Sequence, residues 1–442
     1  MTNEANDDQE DPSEELRSHW SSYPPEERVA AFNALDRADA DDFFLELSAQ
    51  DQATILMALH RGERRLWLRL LAPDDAVDVI QEVPDEARAD LLDMLDTATR
   101  HEVSALLAYA EDAAGGLMSP RFARLRPDMT VAEAIRYLRR QAREELETIY
   151  YAYVLSPDQR LEGVISFRDL FSTNGERLVA DVMHTDVISV PEDLDEESVA
   201  KVIAQHDLNA LPVIDAEGRM KGIVTIDDIV DVVQSAATED IQKLGGMEAL
   251  DTPYLQTGML AMIKKRGGWL AALFLGEMLT ASAMSHYETE IAKAVVLALF
   301  VPLIISSGGN SGSQATTLII RAMALGEVSL RDWWLIVRRE LTAGLALGIL
   351  LAVIGLLRIV VWQGLFHSYG DHYMKVAFTV AASLVGVVTW GTLAGAMLPF
   401  VIRRLGFDPA SASAPFVATL VDVCGLIIYF TVASVILRGT LL

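Results

Sequence analysis

Residues Pro302 to Arg321 read Pro-Leu-Ile-Ile-Ser-Ser-Gly-Gly-Asn-Ser-Gly-Ser-Gln-Ala-Thr-Thr-Leu-Ile-Ile-Arg. The apolar run Ala294 to Ile305 leads into this stretch and is typical of the first half of a membrane-spanning helix. Because Pro302 lacks an N–H and the glycines weaken helices, we predict that this helix is broken. At membrane depth a broken helix is tolerated only where its backbone is buried in protein or lines water. A close contact between helices is the alternative, although packing does not require Asn310 or Gln314.

A second polar feature is Asp422, within the run Ala418-Thr-Leu-Val-Asp-Val-Cys-Gly-Leu-Ile-Ile-Tyr-Phe430. A carboxylate in such a run is energetically unfavourable and marks a functional site by default. The alternatives are a structural partner for a buried base, of which Arg358 lies nearest a span interior, or a short loop outside the lipid. A membrane carboxylate together with the polar stretch of the second span predicts a path for cations.

The charge is unevenly distributed along the 442 residues, whose formal net charge is -27. Residues 1–260 carry a net charge of -31 and residues 261–442 a net charge of +4. An acidic half argues against nucleic acid as a partner and is compatible with divalent cations, or with a solvated surface alone. The single cysteine, Cys424, excludes an intramolecular disulfide framework.

The chain divides into five predicted regions. We expect a disordered tail over residues 1–15, an all-α domain over 16–115, a tandem α/β pair over 116–240, a connecting helix over 241–266 and a membrane domain over 267–442. We expect a break in the connecting helix near Gly245-Gly246 and Pro253. The all-α region consists of short units that begin with proline and acids, as at Pro73 and Pro84, and these units must stack to bury their apolar faces.

Two similar units make up the α/β pair, and each has the order helix, strand, strand, helix. The first contains Thr130-Val-Ala-Glu-Ala-Ile, Tyr151-Ala-Tyr-Val-Leu and Gly163-Val-Ile-Ser-Phe-Arg-Asp169, and the second Ser198-Val-Ala-Lys-Val-Ile, Leu211-Pro-Val-Ile-Asp and Gly222-Ile-Val-Thr-Ile-Asp-Asp228. The pair resembles tandem CBS domains. That family often binds adenine nucleotides, and the resemblance implies that Asp169 and Asp228 stand at the ribose position.

Five apolar stretches follow, each close to or above the length that crosses a bilayer. They cover about 267–285, 291–320, 334–364, 374–402 and 413–438. Basic residues cluster at Lys264 to Arg266, Arg331 to Arg339 and Arg403-Arg404, on one side of the predicted membrane. By the positive-inside rule, the N-terminal half is cytoplasmic and the C-terminus is outside.

The complete order of domains resembles the MgtE family of magnesium channels. The matching motifs are Glu111-Asp-x-Ala-Gly-x-x-Met118, Ala237-Thr-Glu-Asp-Ile-x-Lys-Leu-Gly245, Gly308-Gly-Asn-x-Gly-x-Gln314 and Asp408-Pro-Ala-x-Ala-Ser-x-Pro-Phe-Val-Ala-Thr-x-x-Asp-Val-x-Gly425. The resemblance implies a homodimer in the inner membrane, with one pore between the subunits that cytosolic Mg²⁺ closes through the connecting plug helix.

The same resemblance implies three sets of site residues. The pore set is Asp422, Asn310, Gly309, Gly312, Thr316 and Ala418. The cytosolic Mg²⁺ sensor set is Asp207, Asp228, Asp231, Glu239 and Asp240, and the ATP set is Tyr151, Arg168 and Asp169. Two positions depart from the expected pattern: Ala236 replaces an acid of the sensor, and Glu277 lies in the first span where a neutral residue is expected.

The chemistry of the residues agrees with magnesium transport but leaves alternatives. Mg²⁺ keeps several of its waters and is bound through one or two carboxylates, so one aspartate per subunit suits a hydrated ion. Mn²⁺ or Co²⁺ would suit many of the same groups, and a membrane-anchored sensor of nucleotide or metal is another reading. A transporter of organic solutes would show internal repeats in the membrane half. The sequence shows no catalytic set, so we do not expect an enzyme.

Overall fold

The computed structural model describes residues 16–17, 19–141, 146–148, 150–438 and 440. The predicted tail over residues 1–15 lies outside these residues. The chain divides into two compact units, Met1–Ala236 and Ala237–Leu442.

Short α-helices fill the N-terminal part of the first unit, as the proline and acid pattern predicts. They are α1 (Pro25–Phe32), α2 (Arg37–Glu46), α3 (Ala49–Ala58), α4 (Arg61–Leu68), α5 (Pro73–Glu82), α6 (Asp85–Met94) and α7 (Thr97–Leu106). The side chains of Asp36, Ser48 and Asp96 cap three of them by accepting hydrogen bonds from backbone N–H groups of the first turn. Local capping therefore fixes where these helices begin.

An aromatic cluster and a buried ion pair hold this helical array together. The ring of Phe32 lies 5.0 Å from that of Trp67, which lies 5.0 Å from that of Phe44. Beside them, Asp51 accepts hydrogen bonds from Arg28 at 2.6 Å and from the Trp20 indole at 2.8 Å. Burial of Asp51 is tolerated because both carboxylate oxygens have donors.

The Glu111 to Met118 motif contains a short helix, α8 (Ala114–Leu117), whose first three residues are buried. The N–H groups of Ala114 and Gly115 donate to the carbonyls of Leu194 and Glu192, at 2.7 and 2.9 Å. A methyl group on Gly115 would overlap the ring of Tyr109, so only glycine fits this approach. The segment is therefore part of the packed structure of the first unit.

Each of the two repeated units contains a three-stranded sheet. The first consists of β1 (Ala123–Leu125), α9 (Val131–Gln141), β2 (Tyr151–Leu155), β3 (Leu161–Ser166) and α10 (Phe167–Ser172); the second consists of β4 (Val190–Pro191), α11 (Glu196–His206), β5 (Ala210–Ile214), β6 (Met220–Thr225) and α12 (Ile226–Leu244). In both sheets the first strand is parallel to the second and the second is antiparallel to the third. The helix, strand, strand, helix order is confirmed, and β1 and β4 are strands that the sequence pattern did not indicate.

The connecting segment contains the end of one helix and the start of the next. Helix α12 ends at Leu244, Gly246 adopts a φ of 75°, and the helix resumes only at Met259. The interruption expected near Gly245-Gly246 and Pro253 is present and extends over residues 245–258, so residues 241–266 do not form one continuous helix. The end of α12 is fixed to the membrane unit by Lys243, which donates to Asp408 at 2.6 Å.

Five helices of the second unit are long and apolar enough to cross a membrane, which confirms the predicted number. They are α13 (Met259–His286), α16 (Val301–Ala324), α17 (Trp333–Phe366), α18 (Tyr373–Arg404) and α19 (Ala414–Ile436). Two short helices, α14 (Glu288–Lys293) and α15 (Val295–Ala298), lie between α13 and α16. No residue of α13 is buried in the single chain. The other four pack against one another around α18, whose small residues let its neighbours approach closely.

The predicted break of the second span at Pro302 and the glycines is wrong. Pro302 lies in the first turn of α16, where its missing N–H has no partner to lose, and the helix continues through the glycines to Ala324. The interruptions lie earlier, around Ala294 and Phe300. The glycines instead serve contacts between helices: a methyl group on Gly391 of α18 would overlap the carbonyl oxygen of Gly308.

Candidate functional site

A polar stripe runs along one face of α16. Ser306, Asn310, Gln314 and Thr317 are exposed in the single chain, and Ser313 between them is half-buried. These positions are three or four residues apart and therefore share one side of the helix. Hydroxyl and amide groups on an apolar span require another polar group or water beside them. The stripe is the polar surface that Asn310 and Gln314 predicted, carried on an intact helix.

Helix α19 runs antiparallel to α16 beside this stripe. The hydroxyl of Ser313 donates to the carbonyl of Ala414 at 3.2 Å, and a methyl group on Gly309 would meet Cβ of Ala418 at 3.5 Å. Asp422 lies one turn beyond Ala418, so 414, 418 and 422 share a face of α19. The structure thus brings Asp422, Ala418 and Gly309 to the same pair of helices as Asn310.

Two members of the predicted pore set point away from the stripe and into the contact with α18. The hydroxyl of Thr316 is fully buried and lies 2.8 Å from the carbonyl oxygen of Gly395 and 2.9 Å from that of Gly312. Gly312 is buried against Val417 and Gly391. In this chain both residues set the spacing of the helices, and they expose no side-chain group on the stripe.

The Asp422 side chain is half-buried and lies within hydrogen-bonding reach of the Glu277 side chain on α13. Sequence reasoning noted Glu277 only as an unexplained charge. An acid inside a span marks Glu277 as a candidate site residue, but Glu340 shares this property, so the sequence did not show which acid lies beside Asp422.

A second group of acids lies in the first unit, where the side chains of Asp74 and Asp228 approach. Asp74 is 7% exposed, and its Oδ1 is among the buried oxygens of the described residues without a hydrogen-bond partner. Burial, together with the charges of Glu147 and Asp228, raises the pKa of Asp74 well above its ordinary value. A buried carboxyl group in this state is a position that a cation would stabilise.

Asp228 lies in the first turn of helix α12 and is held in a defined orientation. Its carboxylate accepts hydrogen bonds from the Thr225 hydroxyl at 2.6 Å and from the Thr225 N–H at 3.1 Å. Burial raises the pKa of Asp228 to about 7 against the opposing effect of these bonds, with further contributions from Asp227 and Asp75. Sequence reasoning found Asp228 but missed Asp74 and Glu147, which come from distant parts of the chain.

The other residues of the predicted sensor are dispersed. Asp207 directly follows α11, adopts the left-handed conformation with a φ of 51° and is exposed. Asp231 is exposed on α12. Glu239 and Asp240 lie two to three turns further along α12, where Glu239 pairs with Lys243 at 2.5 Å. Within the described residues, no three acidic, histidine or cysteine side chains are arranged around one metal position.

The three predicted nucleotide residues come together at the end of the first sheet. Tyr151 is paired with Ser166 across β2 and β3, and Ser166 donates to Asp169 at 2.7 Å. Arg168 lies between them in the first turn of α10 and is exposed. His184 lies 3.6 Å from Asp169. The second unit repeats this geometry with Thr225 and Asp228, as a tandem repeat should.

The second unit has five apolar helices, a polar stripe and a membrane carboxylate, and the first has a helical array and paired α/β units. This combination is typical of a multispan membrane transport protein with attached non-membrane domains. Comparison with known families identifies it further. Residues 301–432 match the family model described as MgtE, divalent cation transporter; residues 12–112 match the MgtE intracellular N domain; and residues 114–174 and 179–235 match CBS domains.

Full-length relatives agree with these matches. The chain is 42% identical over 429 residues to the magnesium transporter MgtE of Thermus thermophilus, covering 96% of this chain and 93% of that one. It is 30% identical to the magnesium transporter MgtE of Bacillus subtilis, covering 95% and 91%. The chain therefore belongs to the MgtE family of divalent cation transporters.

A solved structure of part of a relative matches about half of the chain. It is the cytosolic domain of the Mg²⁺ channel MgtE in complex with ATP, with 42% identity, a TM-score of 0.47, and coverage of 51% of this chain and 91% of that one.

Proposed function

We propose that this protein is a Mg²⁺ channel or transporter that imports magnesium across the cytoplasmic membrane. The observation that carries the proposal is the polar stripe of α16 beside Asp422 of α19. Relatives similar over nearly the whole chain are named as magnesium transporters. The second candidate cargo is another divalent cation, Mn²⁺ or Co²⁺, because the same carboxylate and amide oxygens would accept it.

The groups on the stripe suit an ion that keeps its hydration shell. Mg²⁺ loses water reluctantly and is usually held through one or two carboxylates. Asp422 supplies the charge that attracts the ion, and the amide of Asn310 together with the hydroxyls of α16 can hydrogen-bond its waters. Gly309 and Ala418 keep the two helices close at this level.

A homodimer would complete this pathway. In one chain the polar stripe of α16 is exposed, and polar side chains that face lipid are energetically unfavourable. Helix α13 also has no buried residue in the single chain. A second copy related by a two-fold axis would cover these surfaces and bring two Asp422 carboxylates to one axis. By the positive-inside rule, the basic ends of the spans would face the cytoplasm, on the same side as residues 16–115 and 116–240. The C-terminus would lie outside.

The acids of the first unit form the proposed cytosolic Mg²⁺ sensor. Asp74 and Asp228 repel each other in a partly water-excluded site, and a divalent ion between them would turn that repulsion into attraction. Because the ion would bind this compact arrangement in preference to an open one, it would shift the population towards the compact form. Asp207, Asp231, Glu239 and Asp240 are further candidate ligands on α11 and α12.

ATP is the proposed regulatory nucleotide of the first CBS unit. Tyr151 offers an aromatic face, Arg168 an exposed guanidinium, and Asp169 a carboxylate suited to ribose hydroxyls. They meet around Ser166 at the start of α10.

The direct test is Mg²⁺ influx into liposomes that contain purified protein and an internal Mg²⁺ dye. Asp422→Asn keeps the size of the side chain and removes its charge, and we expect near-complete loss of influx with normal assembly. Asp371→Asn, in the exposed loop between α17 and α18, is the matched control and should retain wild-type influx. Wild-type influx through Asp422→Asn would refute the pore assignment, whereas Mn²⁺ influx that exceeds Mg²⁺ influx would favour the second candidate cargo.

A further inference from the structure

Glu277 is a charged residue on α13, the first span, at a point where α13 approaches α19 closely. A methyl group on the preceding residue, Gly276, would meet Cγ2 of Thr419 at 2.9 Å. This close approach places the Glu277 turn of α13 against the α19 turn that carries Asp422. Gly276 is small because a larger residue would separate the two helices at this point.

The Glu277 and Asp422 side chains lie within hydrogen-bonding reach of each other. Among the described residues, the ion pairs of the membrane unit involve Lys243 and Lys265, and neither Glu277 nor Asp422 is included. A structural role for a membrane acid normally requires a basic partner. The charged side chain that acts on Asp422 is Glu277, which is another acid.

We propose that Glu277 is a second carboxylate of the Asp422 site and favours divalent over monovalent cations there. The inference rests on the proposed function of Asp422. Two carboxylates present two negative charges to one ion, which a divalent cation compensates and a monovalent cation compensates only in part. For a hydrated divalent ion several ångströms away, one carboxylate charge in a wet pathway changes ion binding about tenfold.

Glu277→Gln tests this in the full-length protein in liposomes, because it keeps the shape and the hydrogen-bonding capacity of the side chain. We expect the Mg²⁺ concentration for half-maximal influx to rise about tenfold, and Mg²⁺ to inhibit K⁺ flux only at about tenfold higher concentration. Glu277→Asp should restore most of both properties. Glu340→Gln on α17, another acid within a span, is the matched control and should leave both values unchanged.

Two results would overturn the proposal. One is a folded Glu277→Gln with wild-type half-saturation and wild-type inhibition of K⁺ flux. The other is loss of folded protein in both Glu277→Gln and Glu277→Ala, which would make the pair structural. Asp422→Asn keeps the two proposals separable: if it abolishes influx while Glu277→Gln is normal, only the inference on Glu277 fails, and if it leaves influx intact, the proposed pore itself fails.

Discussion

Replacing Asp228 by Asn should make the first unit more stable in neutral solution without Mg²⁺. The pKa of Asp228 is raised to about 7, chiefly by burial, from an ordinary value of 3.8. Asn can still accept the hydrogen bonds of Thr225 and has no charge to bury. The variant therefore removes an unfavourable charge and keeps the local geometry.

The sign follows from proton linkage. Between about pH 4 and about pH 7 the folded state holds a proton that the unfolded state has released, so the free energy of unfolding falls as pH rises through this range. The loss is complete above the folded pKa. A shift of about three pKa units corresponds to about 4 kcal/mol. Because Asp228 is only half-buried, solvent screening lowers this figure, and we expect Asp228→Asn to be about 2 to 4 kcal/mol more stable than wild type near pH 8.

Urea unfolding of a fragment spanning residues 1–244 measures this difference. The fragment contains all of α12, and Trp20 and Trp67 are its tryptophans, both buried in the helical array. Stability should be compared near pH 4 and near pH 8, without metal. Adding Mg²⁺ at about a hundred times its dissociation constant should then stabilise wild type by roughly 2.7 kcal/mol and Asp228→Asn by much less.

The matched control is Asp85→Asn on α6, where the side chain is 87% exposed and lies 3.0 Å from Arg88. Its unfolding free energy should follow that of wild type at both pH values. The reasoning is refuted if wild type and Asp228→Asn differ by the same amount near pH 4 and near pH 8, because the stabilisation would then not come from the charge of Asp228.

Two further predictions concern the membrane unit. Gly391→Ala places a methyl group against the Gly308 carbonyl, so we expect it to lower the unfolding temperature of the protein in detergent. Gly364→Ala on α17 is the control, because open space surrounds Gly364 and the unfolding temperature should not change. Equal unfolding temperatures of the two variants would contradict this packing. Lys243→Met removes the bond to Asp408 and should release the segment 245–258, with a loss of about 1 kcal/mol and about fivefold faster proteolysis there. Unchanged proteolysis would show that the bond does not hold this segment.

Much of the architecture follows from local properties of the sequence. Hydropathy alone gives five spans, since a helix that crosses lipid must be apolar over a fixed length. Proline and acids at helix starts give the short N-terminal helices, and the repeated pattern of two strands gives the paired α/β units. These signals lie within a few residues of the elements that they specify.

The role of the Gly308 to Gln314 stretch was decided by tertiary structure. Its weak helix propensity predicted a break, but an α-helix satisfies its own backbone in an apolar environment, and α18 and α19 pack closely on its glycines. Thr316 illustrates the same limit. The sequence predicted that Thr316 lies close to the ion, whereas its hydroxyl donates to the Gly395 carbonyl of α18. The sequence of α16 alone does not determine which of its faces packs against α18.

The two acid pairs also depended on tertiary structure. Sequence identified Asp228 and Asp422 as candidates because each is a polar residue in an informative local pattern. Their partners, Asp74 and Glu277, come from helices far away in the chain. Local patterns determine which residues are buried or membrane-embedded, but the charge that faces each of them is set by the packing of helices that are distant in sequence.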